Sequence, residues 1–137
     1  MSQPRRKLTV ADYQHFPEDG QRHELADGEE VVTPAPTAQH QRILGEIFVA
    51  VREVARARGL GEVFFAALDV VLSEHDVLQP DLLFISAARA GILTTRAEGP
   101  PDLAVEVLAR SSRRTDELRK RRRYELFGVA EPLTPPA

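Results

Sequence analysis

The chain has 137 residues, 42% of them hydrophobic, and a formal net charge of −3, which suits one domain with one modest core and excludes a largely disordered chain. It has no cysteine, so disulfides, thiolate metal sites and cysteine nucleophiles are ruled out, and a reducing compartment fits. The charge balance demands no polyanionic partner, so any argument for nucleic acid must be local. Residues 1–7 are polar and basic and no long apolar run follows them, which reads as a cytoplasmic protein with neither signal peptide nor membrane span.

Residues 8–16 read as a short helix: Thr9 can cap it, Asp12 stands in capping-box position, and Pro17 stops it. A hairpin follows, with residues 23–26 and 29–32 flanking Asp27-Gly28, a pair that tolerates the positive φ of a type I′ turn. Pro34 and Pro36 break that ribbon. From Thr37 to Gly59, the apolar residues Leu44, Ile47, Phe48, Val51, Val54 and Ala55 recur at helical spacing.

Residues 63–72 are apolar at nearly every position, as in a strand buried on both faces, and residues 77–85 follow after the turn Glu74-His75-Asp76 as an adjacent strand. Residues 87–99 lack a clear period and have room for a short helical turn. A third strand is predicted over 103–108 and a final helix over 115–127. This order gives an α/β fold with a small mixed central β-sheet flanked by helices and an N-terminal β-hairpin. It forms one domain over 8–129 with irregular tails at 1–7 and 130–137.

The chemistry concentrates in a few carboxylates and one lysine. Asp81 and Asp102 each follow a proline, and Glu106 lies four residues beyond Asp102. Residues four apart on a strand are separated by ~13 Å at ~3.3 Å per residue, too far to share one ion with Glu106. Asp81, on another strand, is free of that limit. Glu106 sits amid apolar neighbours and needs a partner, either a cation or solvent at a sheet edge.

On the last helix Asp116, Lys120, Tyr124 and Phe127 share one face, which holds the helix's only aromatics and is therefore predicted to turn inward. An ordinary Asp116–Lys120 pair would explain the spacing equally well. Apart from Lys7, however, Lys120 is the only lysine in a chain that otherwise uses arginine. Near a metal-bound water, a lysine can orient or activate the nucleophile where arginine, which keeps its proton, cannot activate it.

Five segments in order resemble the Uma-type putative restriction endonucleases of the PD-(D/E)XK superfamily: Glu24-Leu25-Ala26-Asp27-Gly28-Glu29, Gln79-Pro80-Asp81-Leu82, Val105-Glu106-Val107-Leu108, Asp116 with Lys120 and Tyr124, and Gly128-Val129. The resemblance implies a restriction-endonuclease-like fold and metal-dependent phosphodiester hydrolysis. Asp81 and Glu106 would hold Mg²⁺ or Mn²⁺, Glu24 would be a further acidic member, and Lys120 would replace the lysine that the superfamily usually places where Leu108 stands. His40, Asp116 and Tyr124 would border the site, although an inert histidine at a helix start accounts for His40 equally well.

Two departures accompany the resemblance. The family's Ser-Pro-Ser-Thr-like stretch reads Ala109-Arg110-Ser111-Ser112 here, and where the family continues with further sheet, residues 130–137 are proline-rich. An incomplete sheet would leave an edge open to self-association, giving a homo-oligomer. Arg113, Arg114, Arg119, Arg122 and Arg123 form a local basic cluster suited to DNA phosphates, or else a solvated charged face. The alternative function is a catalytically inactive nucleic-acid-binding or accessory interaction protein.

Overall fold

The computed structural model describes residues 6–33, 35–108 and 114–129. Its α-helices are α1 (Val10–Tyr13), α2 (Ala38–Ala57) and α3 (Arg114–Leu126), and a 3-10 helix spans Ala87–Ile92. Its strands are β1 (Arg22–Ala26), β2 (Glu29–Thr33), β3 (Gly61–Phe65), β4 (Val70–Ser73), β5 (Asp76–Leu78), β6 (Leu82–Ser86) and β7 (Leu103–Val105). The class is α/β, as the sequence indicates. The strands, however, form two antiparallel sheets in the orders β2-β1-β5-β4 and β3-β6-β7, where one small mixed sheet was predicted.

The reason lies in the two long apolar runs. Each breaks in the middle, between β3 and β4 and between β5 and β6, so that its halves enter different sheets. The halves still pair as neighbours: Val63 faces Phe84 in one sheet and Val71 faces Val77 in the other. Pro80 has no backbone N–H to continue a ladder. Beside it, the Gln79 amide donates to the Asp69 carboxylate at 2.8 Å and to the Tyr13 hydroxyl at 3.1 Å, tying both breaks to α1.

Local signals account for the remaining elements. Asp12 and Thr9 close a reciprocal capping box at the start of α1, with the Thr9 N–H donating to Asp12 at 2.8 Å. That helix is only four residues long, shorter than the predicted 8–16. Asp27 and Gly28 take φ of 49° and 76°, the two positive values of a type I′ turn. Thr37 caps α2 by accepting the His40 N–H at 3.2 Å.

One side of α2 brings Ile43, Leu44, Ile47 and Phe48 onto Leu82, Val105 and Val107. Val54, at the margin of that stripe, is instead 51% exposed. A second cluster buries Val70, Leu83, Ile85 and Ala97 on the other face of the β3-β6-β7 sheet. The third joins Ala26, Val31, Leu78 and Ala104 to Tyr124 and Val129, and so seats α3. Among the described residues no helix is long and apolar enough to cross a membrane.

Candidate active site at the seam of the two sheets

Strand alternation puts Arg22 and Glu24 on one face of β1, with His23 and Leu25 on the other. Glu24 is fully buried, and its Oε1 accepts from the Gln79 N–H at 2.6 Å and from Lys120 Nζ at 3.0 Å. Glu24 therefore binds the β5–β6 break from β1, the neighbour of β5 in its sheet. Just past that break, Asp81 Oδ1 accepts from Arg22 Nη1 at 2.8 Å, while Oδ2 accepts from the Val107 N–H at 2.7 Å and lies 3.1 Å from His40 Nε2.

Glu106 follows directly after β7, which is shorter than the predicted 103–108 because the next N–H, that of Val107, bonds the Asp81 carboxylate instead of a strand partner. Leu82 pairs with Val105. That is the last pair of the ladder, so Asp81 and Glu106 flank the same end of it. Glu106 Oε1 accepts from Lys120 Nζ at 2.8 Å and from the Tyr124 hydroxyl at 3.1 Å. Lys120 and Tyr124 are one helical turn apart, and both are buried.

The electrostatics follow from burial. Desolvation pushes the Glu106 carboxyl up to about 7; Lys120 opposes the shift, while Glu24 and Asp81 add to it. For Lys120, burial acts to lower the pKa, but the facing Glu106 and Glu24 outweigh it and hold the ammonium at about 12. Lys120 thus keeps its proton and acts as a hydrogen-bond donor to both carboxylates. Burial, then Glu106 and Glu24, raise the Tyr124 phenol well above its ordinary value, so it too remains a donor. Three carboxyl groups, of Glu24, Asp81 and Glu106, face two permanent cations, Arg22 and Lys120.

The structure thus gathers Glu24, Asp81, Glu106, Lys120, His40 and Tyr124 in one place. Asp116 is half-buried on α3 and, among the described residues, is joined to none of the carboxylates; the i,i+4 pairing with Lys120 is not formed. Asp102 lies apart, accepting from the Ser86 N–H at 2.6 Å and pairing with Arg89 at 3.4 Å. Of the basic cluster, Arg119 pairs with Glu29 at 2.9 Å and Arg122 is exposed. Arg123 makes a bidentate contact to fully buried Asp76 at 2.7 and 2.8 Å, which commits it to the fold. Arg113, the Arg114 side chain and residues 130–137 lie outside the described residues.

Arg22 is the site residue that the sequence reading missed. The available signal was its position two residues before Glu24 on a strand, hence on the same face.

As for a metal, no group of three or more His, Asp or Glu side chains among the described residues has the arrangement of a complete ion site. The donors nevertheless fit Mg²⁺ or Mn²⁺, which take hard oxygens and commonly use one or two carboxylates together with water and substrate phosphate. The buried Glu24 Oε2 has no hydrogen-bond partner among the described residues, and the Glu106 side chain keeps 15% exposure.

A buried carboxylate and lysine cluster where two sheets meet, flanked by helices, places the chain among nuclease-like α/β folds. A crystal structure of a putative nuclease belonging to DUF820 from Anabaena variabilis ATCC 29413 shares this fold, with a TM-score of 0.83 at 17% identity over 94% of this chain and 74% of that one. The chain belongs to the Uma2 family, described as putative restriction endonucleases, whose model matches residues 10–134. No curated protein matches it.

Proposed function

We propose that the protein is a divalent-metal-dependent nuclease that hydrolyses phosphodiester bonds in DNA. The observation that carries this reading is the convergence of Glu24 and Glu106 on buried Lys120, with Asp81 held by Arg22 and His40 beside them at the seam of the two sheets. Asp81 and Glu106 would hold Mg²⁺ or Mn²⁺, which when bound supplies positive charge for the phosphate and lowers the pKa of the attacking water.

The chain's own residues do the rest. The Lys120 ammonium spans Glu24 and Glu106, fixes the Glu106 carboxylate in place, and offers its remaining hydrogen-bonding capacity to the nucleophile or a phosphate oxygen. Tyr124 holds the same Glu106 oxygen from the next turn of α3. His40 and the Val107 N–H orient Asp81 from the opposite side. Exposed Arg122 would be available to backbone phosphates. The outer edge of β7, unpaired among the described residues, is where a second copy would add.

The test is cleavage of plasmid and oligonucleotide DNA with Mg²⁺ or Mn²⁺, with EDTA and Asp81→Asn as controls and circular dichroism to verify folding. The expected result is metal-dependent cleavage reduced at least about a hundredfold in Asp81→Asn. A folded wild-type protein that binds DNA without cutting it would replace this reading with a catalytically inactive nucleic-acid-binding module.

A further inference from the structure

The carboxylate cluster contains a cation to which the proposed reaction assigns no task. Arg22 Nη1 lies on Asp81 Oδ1 at 2.8 Å, and Nη2 donates to the Gln79 carbonyl. Asp81 Oδ2 is already engaged by the Val107 N–H and His40, so Oδ1 is the oxygen with room for another cation, and a guanidinium stands on it. Arg22 is also incompletely satisfied, since its buried Nε has no acceptor among the described residues. A purely structural ion pair in this position would be expected to satisfy that donor too.

We propose that Arg22 serves as the resident counter-charge of Asp81, giving way when a divalent cation binds and then turning its fork onto the scissile phosphate. The inference rests on the nuclease reading above. Two observations bear on the direction of movement. The Arg22 side chain is 16% exposed, against 7% for Lys120 and none for Glu24, so it occupies the more open side of the cluster. It also opens β1 beside exposed Gln21, at the end of the strand rather than within it.

The chemistry is consistent with both roles. Glu24, Glu106 and Asp81 all act on the guanidinium, which therefore offsets the excess of carboxyl groups in the metal-free protein. A divalent cation on the same oxygen removes that need and repels the guanidinium. Released from Asp81, the planar fork matches two phosphate oxygens and gives Nε an acceptor.

The test compares wild type, Arg22→Gln and Arg22→Lys by two readouts: Mn²⁺ affinity, from the electron paramagnetic resonance signal of the free ion, and steady-state DNA cleavage. Removing a competing charge should tighten Mn²⁺ binding in Arg22→Gln about tenfold, while loss of a phosphate donor should lower kcat/KM about a hundredfold. Arg22→Lys keeps the charge but not the fork, so Mn²⁺ affinity should stay within about twofold of wild type while KM for DNA rises. Opposite signs of the two effects in Arg22→Gln cannot come from a structural anchor, whose loss would weaken both.

Equal or weaker Mn²⁺ binding in folded Arg22→Gln, or unchanged kcat/KM, overturns the proposal. Should that variant fail to fold, Arg22→Lys decides alone, and an unchanged KM or a shifted Mn²⁺ affinity overturns it. A wild-type protein that binds no Mn²⁺ at all removes the nuclease reading itself, an outcome distinct from failure of the Arg22 role.

Discussion

Replacing Lys120 with methionine isolates the charge at the centre of the site, because methionine occupies much of the volume of the lysine stem. The lysine side chain is 7% exposed, and its ammonium lies 3.0 Å from Glu24 and 2.8 Å from Glu106. Its removal leaves fully buried Glu24 with the Gln79 N–H as its donor among the described residues, where Oε2 has no partner. Breaking a buried pair in this way costs about 3–5 kcal/mol. Glu106 relieves part of that cost, because its carboxyl, already at about 7, gains a proton more readily once Lys120 is gone. We therefore expect a loss of about 2–3 kcal/mol near pH 7.5, or ~8–12 °C in Tm for a domain of this size.

Since the uncompensated carboxylates carry that penalty when ionised, the loss should grow towards pH 9 and shrink towards pH 6. DNA cleavage should fall at least about a hundredfold. Differential scanning fluorimetry at three pH values and a cleavage assay measure both effects. Arg121→Met is the control, because its pair with Glu125 is half exposed on both sides and such pairs are worth about 0.3–0.5 kcal/mol. If Lys120→Met shifted Tm no more than that control, or cleaved DNA as wild type does, the account of the lysine would be wrong.

Three further predictions concern residues at different distances from the chemistry. Arg123→Met, which leaves fully buried Asp76 without its bidentate partner, should cost about 3 kcal/mol by chemical denaturation. Exposed Arg122→Ala should stay within about 0.5 kcal/mol and, if it contacts phosphate, reduce the salt slope of DNA binding by about one; the reverse pattern would contradict the placement of α3. Glu106 has its folded pKa raised from 4.5 to about 7, so the folded state holds that proton more tightly and stability falls as pH rises through this window. In EDTA, Glu106→Gln should be more stable than wild type by about 2 kcal/mol at pH 8, with the gain gone near pH 4.5; a gain independent of pH would assign it to packing instead.

Much of the local structure was legible in the sequence because it depends on residues a few positions apart. The I′ turn at Asp27-Gly28, the Thr9–Asp12 capping box and the start of α2 at Thr37 are short-range features of backbone geometry and hydrogen bonding. The inward face of α3 followed from a 100° step and two aromatics, and it correctly turned Lys120 and Tyr124 towards the core. The family's motifs likewise pointed to Glu24, Asp81 and Glu106 together, although β1 and β6 belong to different sheets.

Tertiary structure decided which strand halves share a sheet and which cation meets which carboxylate. Apolar runs at 63–72 and 77–85 show burial but not the break that sends each half to a different sheet, since the Gln79 and Asp69 contacts that hold it depend on distant Tyr13. Arg22 and Asp81 are 59 positions apart, and Arg123 and Asp76 are 47 apart. In sequence, Arg22, Arg119, Arg122 and Arg123 are all simply positive. Burial separates them, because only a charge withdrawn from water must find a particular partner, and the fold alone determines which charges are withdrawn.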